Sequence, residues 1–318
     1  MSSFLKMKNS RAAEIAKIAA QIEKAAGGGQ SDSNDEKFWN LTVKQDGNGS
    51  AIIRFLPAPD GEEMPFIRYW DHGFKGPSGN WYIEKSLNSI GKDDPVAEMN
   101  RRLWQQGEES EGRRIVSGTG KEQPGSKRRL HYIANIYVVK DPGNPDNEGK
   151  VFLFKFGAKI FDKLNAVMHP ADDLTPQMNP FDLWEGANFV LRAAQVKGFR
   201  NYDQSQFEAV KPLIVDKKGQ ADDKELERIW QLEHPLQPFM DESNFKSYDE
   251  LKAKLVRVME GLPEASGSTA AAVASTRKVA GAPKGKVKEA EEVPFDVGSD
   301  EGTEDPDSFF AKLAEEDA

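Results

Sequence analysis

Between residues 37 and 260 the apolar positions cluster in short β-branched or aromatic runs broken by turn residues. Such runs mark strands of an antiparallel sheet rather than long helices. Ala51-Ile52-Ile53-Arg54-Phe55-Leu56 predicts a strand that Pro57 and Pro59 end. Phe66-Ile67-Arg68-Tyr69-Trp70 and Trp81-Tyr82-Ile83 predict two more. The run from Tyr132 to Val139 is longer, and Asp141-Pro142-Gly143-Asn144-Pro145 turns it toward Val151-Phe152-Leu153-Phe154-Lys155-Phe156. A further strand is expected from Ala187 to Val196. Two segments switch to helical spacing. Ile160, Phe161, Leu164, Val167 and Met168 form one stripe, and Ser247 with Glu250 makes a capping box ahead of Leu251, Leu255, Val258 and Met259. Strands joined by turn-rich connections, with a few helices between them, predict a mainly β, α+β domain. Its expected centre is a small barrel of the OB type with helical additions, not a parallel α/β sheet.

Outside that window the pattern changes. Residues 1–36 read as a basic arm and a Gly-rich linker. Lys6, Lys8, Arg11, Lys17 and Lys24 outnumber Glu14 and Glu23, and Gly27-Gly28-Gly29 begins the tether. Asn9 or Ser10 can cap a helix in which Ile15, Ile18, Ala19 and Ile22 share one face. That helix either packs on its own core or serves another molecule, and the tether favours the second. Residues 261–288 are rich in Ala, Gly, Ser, Thr, Pro and Lys without apolar period, which predicts a disordered linker. Residues 289–318 are acidic and expected to be disordered, with Phe309, Phe310 and Leu313 as apolar anchors for a partner.

Charge sharpens this division. The chain carries a formal net charge of -9, yet residues 1–288 hold 42 Lys and Arg against 40 Asp and Glu. Residues 289–318 hold 12 acids and one lysine. A near-neutral body with basic clusters suits a polyanion, and the tail imitates one. At 38% hydrophobic residues the body can bury a core, and the absence of cysteine excludes disulfides and thiolate metal sites. No apolar run approaches the ~20 residues of a membrane span. No signal peptide is expected, and a reducing, cytosolic compartment fits.

The stretch 113–129 holds Arg113, Arg114, Lys121, Lys127, Arg128 and Arg129 against Glu122 alone. Being Gly-rich, it reads as a mobile loop feeding the aromatic strand that starts at Tyr132. Cations beside aromatics on a β-surface are what unpaired nucleic acid needs: the charges track phosphates and the rings stack on bases, at ~1–3 kcal/mol per base. Catalytic signatures are poor. Gly118-Thr119-Gly120-Lys121 hints at a phosphate loop, but Ile115 stands where the first glycine belongs and Glu122 where a hydroxyl should follow. The pairs Asp93-Asp94, Asp172-Asp173 and Asp222-Asp223 sit in turn-like contexts, and no two histidines have metal spacing. His131, beside the basic triplet, either adds a contact or simply sits on its strand.

Several strings together carry a resemblance. Gly47-Asn48-Gly49 through Ile52-Ile53-Arg54-Phe55-Leu56-Pro57, His72-Gly73-Phe74-Lys75 and Trp81-Tyr82-Ile83-Glu84 come first. Ala134-Asn135-Ile136 with Val138-Val139-Lys140-Asp141-Pro142, and Asn147-Glu148-Gly149-Lys150-Val151-Phe152, follow in order. Trp184-Glu185-Gly186-Ala187-Asn188-Phe189-Val190-Leu191, then Gly198-Phe199 with Asn201-Tyr202-Asp203, complete the set. In this order the chain resembles the single-stranded DNA-binding proteins of T-even-type bacteriophages, over about 38–260 and in the layout of its ends.

The resemblance implies an OB-fold core with a basic, aromatic-lined cleft, a basic arm that binds the neighbouring subunit, and an acidic tail that recruits other proteins. On the matching positions the cleft would use Arg54, Tyr82, Lys127, Arg128, Arg129, Tyr132, Phe154, Phe199 and Tyr202. Phe154 and Tyr82 also suit a core, whereas Arg128 and Arg129 have little reason to be buried. Cooperativity would involve Lys6, Lys8, Ser10 and Arg11. Expected partners are single-stranded DNA, further copies of the chain head to tail along it, and, through the tail, the phage polymerase, helicase loader and recombination proteins, in the cytoplasm of the infected host.

Three departures stand out. The family's zinc site of one His and three Cys matches only at His72; Ser86, Asp94 and Ala97 stand at the cysteine positions, in a segment shortened by about two residues, so no cofactor is expected. The family's N-terminal basic motif is degraded to Lys6-Met7-Lys8-Asn9-Ser10, and a tryptophan after the cleft tyrosine is Ile133. The expected function is cooperative, weakly sequence-selective binding that protects unpaired DNA and destabilises duplex during replication, recombination and repair. An RNA-binding regulator using the same cleft is the alternative, and a nuclease is disfavoured.

Overall fold

The computed structural model describes residues 37–260 apart from 108–109, 121–122, 173 and 197–198. The expected N-terminal arm with Lys6, Lys8, Ser10 and Arg11, the linker 261–288 and the tail anchors Phe309, Phe310 and Leu313 lie outside the described residues, as do Lys121, Glu122 and Gly198.

Period-two alternation builds one curled antiparallel sheet. Its main strands are β1 (Gly49–Phe55), β2 (Phe66–Lys75), β3 (Trp81–Lys85), β6 (Arg128–Lys140), β7 (Val151–Gly157) and β8 (Phe189–Val196). Shorter strands are β4 (Gly118–Gly120), β5 (Gln123–Pro124), β9 (Phe199–Asn201) and β10 (Gln206–Phe207). The order is β10-β8-β1-β6-β2-β3, with β7 also on β6 and β9 on β8, while β4 and β5 pair apart. Strand β6 is the organiser. Its residues 128–134 pair with β2, residues 136–140 pair with β1, and residues 131–137 pair with β7. A strand shared in this way bends the sheet into a half-barrel, as the expected OB-type α+β architecture requires. A bulge between Ile52 and Ile53 helps β1 follow the curve. Gly47, at φ 78°, makes the turn into β1 by donating its N–H to the Lys44 carbonyl at 2.9 Å.

The helices are α1 (Pro95–Trp104), α2 (Glu111–Ser117), α3 (Ala158–Met168), α4 (Asp223–Trp230) and α5 (Tyr248–Glu260). The predicted capping box starts α5: the Ser247 N–H donates to Glu250 Oε2 at 2.9 Å, and the Glu250 N–H returns to Ser247 Oγ at 3.4 Å. Helix α2 is a correction, because the basic stretch around Arg113 is not all loop. Ser110 Oγ accepts the Arg113 N–H at 3.1 Å and starts a helix there, which β4 and β5 follow.

Two cores sit on one face of the sheet. Phe55, Phe66, Tyr132, Phe156 and Phe161 belong to the barrel core. Phe74, Tyr82, Val96, Met99, Leu251, Leu255 and Val258 form a smaller one under α1 and α5. Each aliphatic side chain fully buried there contributes about 1.5–3 kcal/mol, enough to hold the small lobe to the end of β2 and β3.

Candidate nucleic-acid interface

Residues directly opposite in an antiparallel pair share a face, and the face changes at each step along the strand. Between β2 and β6 the facing pairs are Arg68 with Tyr132, Trp70 with Leu130 and His72 with Arg128 on one side. Tyr69 with His131 and Asp71 with Arg129 lie on the other. Phe66 and Tyr132 on the first face enter the barrel core, and Phe74 on the same face enters the small core. Between the two cores, on that face, lie Arg68, Trp70, Leu130 and Arg128, all half-buried. They make a half-buried cationic and aromatic strip of the sheet between the two cores, the floor of the candidate groove.

The groove combines cations with indole faces. The Arg128 guanidinium stands over the Trp70 ring at 4.4 Å. At the end of α1, Trp104 is flanked by Arg113 at 3.8 Å and by Lys127 at 4.9 Å, and Arg113 also donates to the Trp104 carbonyl at 3.2 Å. Two buried donors of the floor, Arg68 Nε and Trp70 Nε1, find no acceptor among the described residues. Beside the floor, the turn carrying Tyr202 is tied by Lys163, whose Nζ donates to the Asp203 carbonyl at 2.9 Å. Lys163 belongs to α3, which packs on this same face through Phe161. Tyr202 is half-exposed and leans on the barrel core, and Phe199 is half-exposed on β9.

The expected contacts therefore divide. Lys127 and Arg128 stand beside Trp104 and Trp70, Tyr202 leans on the barrel core, and Phe199 lies apart on β9, which pairs with β8. Arg129 does not join them. It faces the reverse of the sheet, where its Nε meets Asp71 Oδ1 at 2.7 Å. Its guanidinium lies across Gly73, where a Cβ would stand 2.1 Å from Nη2. Asp71 Oδ2 approaches His131 Nε2 at 3.0 Å, so His131 also belongs to the reverse face. Burial alone would raise the Asp71 pKa, but the charges of His131, Arg129 and Lys155 hold it below the usual carboxylate range. Burial pulls His131 below the ordinary imidazole value against the opposing pull of Asp71.

Four others are corrections of a different kind, because their side chains are inside. Arg54 is fully buried and donates to the Asp182 carbonyl at 2.8 Å and the Lys211 carbonyl at 3.0 Å. It braces loops behind β1, and burial pulls its pKa down to about 10, which leaves it charged at neutral pH. Tyr82 is 0% exposed and stacks on Phe74 at 5.2 Å, whereas its neighbour Trp81 is 40% exposed on the opposite face of β3. Tyr132 stacks on Phe161 at 4.0 Å, and burial pushes its phenol up to about 12. Phe154 packs against Trp39 at 5.4 Å. Arg68, Trp70 and Trp104 join the interface beyond the residues expected from sequence. Their signal was aromatic and cationic character on or beside predicted elements, but only strand register shows which of them share a face.

The resemblance to zinc-binding relatives can be tested on the residues themselves. Ala97 offers no ligand atom beyond its backbone, and Ser86 offers an alcohol. His72 Nδ1 lies 3.0 Å from the Ser126 carbonyl, which can only accept, so that nitrogen carries the hydrogen. Asp94 is engaged by the N–H groups of Leu87, Val96 and Ala97 at 3.0, 2.9 and 3.0 Å. Burial would raise its pKa, but His72 and these N–H groups lower it. A closed zinc site needs four ligands, and these four positions do not supply them. Among the described residues no group of three or more His, Cys, Asp or Glu could hold a metal ion.

A family model described as gp32 DNA binding protein like matches residues 47–259. The single-stranded DNA-binding protein of Enterobacteria phage T2 is 40% identical over 273 residues, covering 83% of this chain and 84% of that protein. Its counterpart in Enterobacteria phage T4 is 39% identical over 272 residues, with the same coverage. The protein of the same name in Escherichia phage SV14 is 44% identical over 80 residues, covering 25% of this chain and 70% of that protein.

Proposed function

The chain belongs to the gp32-like family of DNA-binding proteins, and from that premise we propose that it grips single-stranded DNA in the groove between its two cores. It is a binding protein and not an enzyme. The observation that carries the proposal is the convergence of Trp70 under Arg128 with Trp104 between Arg113 and Lys127. Indole faces accept any unpaired base by stacking, and cations accept any phosphate, so recognition is of strand state rather than sequence. Bases of a duplex are already stacked on each other and cannot enter such a groove. Binding the unpaired form alone draws the melting equilibrium toward it by mass action, without ATP.

The finer roles follow from the same reading. Residues 1–36 link neighbouring subunits along the strand. The acidic residues 289–318 recruit replication and recombination proteins and compete with DNA for the groove, since a tethered polyanion has a high effective concentration there. The protein works in the infected host cell and needs no zinc. The test is a titration of poly(dT), and of duplex of equal length, at several salt concentrations. Strong, salt-sensitive binding to poly(dT) with weak duplex binding is the expected outcome. Equal affinity for the two would overturn the groove as the site.

A further inference from the structure

We propose that His72 and Asp94 form a metal-free clamp that positions the entry of β6, so that Lys127 and Arg128 meet their tryptophans in the groove; this rests on reading the groove as the single-stranded DNA site. Three separate stretches of chain meet at the clamp: β2 at His72, the segment ahead of α1 at Asp94, and Ser126, two residues before β6. All three residues are buried. Asp94 ties its own segment together by accepting the N–H groups of Leu87, Val96 and Ala97, and its Oδ1 stands 3.4 Å from His72 Nε2. The other ring nitrogen donates to the Ser126 carbonyl at 3.0 Å. Asn100 of α1 adds a second donor to that carbonyl at 2.8 Å, and accepts the Ser126 hydroxyl at 2.5 Å.

Ser126 is thus bolted on several sides, and its immediate successors are the groove cations. Lys127 is exposed and reaches Trp104, while Arg128 reaches Trp70. A cation–π contact weakens rapidly once the cation leaves the ring face. The clamp therefore acts on DNA through Lys127 and Arg128, and His72 is a positioning residue. Metal coordination at positions 72, 86, 94 and 97 would join β2 to the segment ahead of α1 but would not reach Ser126. Here the His72 and Asn100 hydrogen bonds to Ser126 and the close approach of His72 to Asp94 hold the clamp in a chain with no cysteine.

The test uses the full-length chain. His72→Ala removes both contacts of the ring. His72→Asn restores only a donor near the Nδ1 position. Leu226→Ala, in a separate core around Trp230, serves as a destabilised control. Two readouts are taken. Without DNA, hydrogen exchange of the Ser126 and Lys127 amides, which donate to the Ile115 and Val116 carbonyls at 3.1 and 3.3 Å, should speed up at least tenfold in His72→Ala and recover in His72→Asn. With oligo(dT), the slope of log K against log salt should flatten by about 0.7–1.4 in His72→Ala, one or two phosphates' worth, and stay unchanged in Leu226→Ala. Unchanged exchange overturns the clamp. Faster exchange with an unchanged slope overturns its role in positioning, as does an equal flattening in Leu226→Ala. Stoichiometric zinc in the purified protein overturns its metal-free nature. A wild-type chain that ignores oligo(dT) refutes the reading of the groove, and the exchange data still judge the clamp independently.

Discussion

Neighbouring arginines at 128 and 129 should separate affinity from stability, because strand alternation sends them to opposite faces. Arg128→Ala removes the cation above Trp70 from the groove floor. One charge-assisted contact to phosphate contributes ~1.5–3 kcal/mol, so affinity for oligo(dT) should fall at least about tenfold. The salt slope should flatten by about 0.7, one phosphate's share for a single strand. The melting temperature should barely move, since Arg128 makes no ion pair among the described residues and is half-exposed. Arg129→Ala should do the reverse. It takes from buried Asp71 a charged partner at 2.7 Å, leaving the carboxylate to His131. At ~1.5–3 kcal/mol for a hydrogen bond to a charged group, and ~2–4 °C per kcal/mol in a domain of this size, melting should drop by about 3–12 °C. The DNA salt slope should stay where it was. Fluorescence titration at four salt concentrations, with thermal melts of the same preparations, measures both quantities. If Arg129→Ala flattens the slope and Arg128→Ala does not, the assignment of faces is wrong and the groove lies on the other side of the sheet.

Other outcomes follow from the same geometry. Tyr82→Phe should leave oligo(dT) affinity unchanged and stability equal or slightly higher, because the phenol oxygen is buried without a partner among the described residues; a tenfold loss of affinity would return Tyr82 to the DNA site. His131 is buried with its pKa lowered, so the unfolded chain takes up its proton first. Its share of stability is complete above the unfolded value of about 6.5 and declines as pH falls below it toward the folded pKa. His131→Gln keeps a donor toward Asp71 and should flatten the stability profile between pH 7 and 5 in urea melts; an unaltered profile refutes it. Truncation after residue 288 removes a net charge of -11 and should tighten oligo(dT) binding several-fold at low salt, with the gain fading as screening shortens the Debye length. Equal affinities at low salt would make the tail irrelevant to the groove.

Much of this protein can be read from its residues in order. Runs such as Ala51–Leu56 and Val151–Phe156 specify strands because β-branched and aromatic side chains fit a pleated surface, and Ser247 with Glu250 specifies a helix start through two local hydrogen bonds. The family strings and the charge split between body and tail are equally local. Helix α2 was hidden because its start depends on one Ser110 hydroxyl, flanked by Glu109 and Glu111, just ahead of a Gly-rich, basic stretch. What sequence could not decide was facing. In Trp81-Tyr82 either ring could point outward, and packing under α5 draws Tyr82 in and leaves Trp81 out. In Lys127-Arg128-Arg129 each cation looks equally available, but pairing β6 with β2 places Arg128 beside Trp70 and delivers Arg129 to Asp71. Trp104 gains Arg113 and Lys127 only when α1, α2 and the approach to β6 fold together. Local propensity acts over a few residues and determines which elements form. The groove is made by registers and contacts between residues far apart in the chain, so it exists only once the sheet has curled and the small lobe has closed over its end.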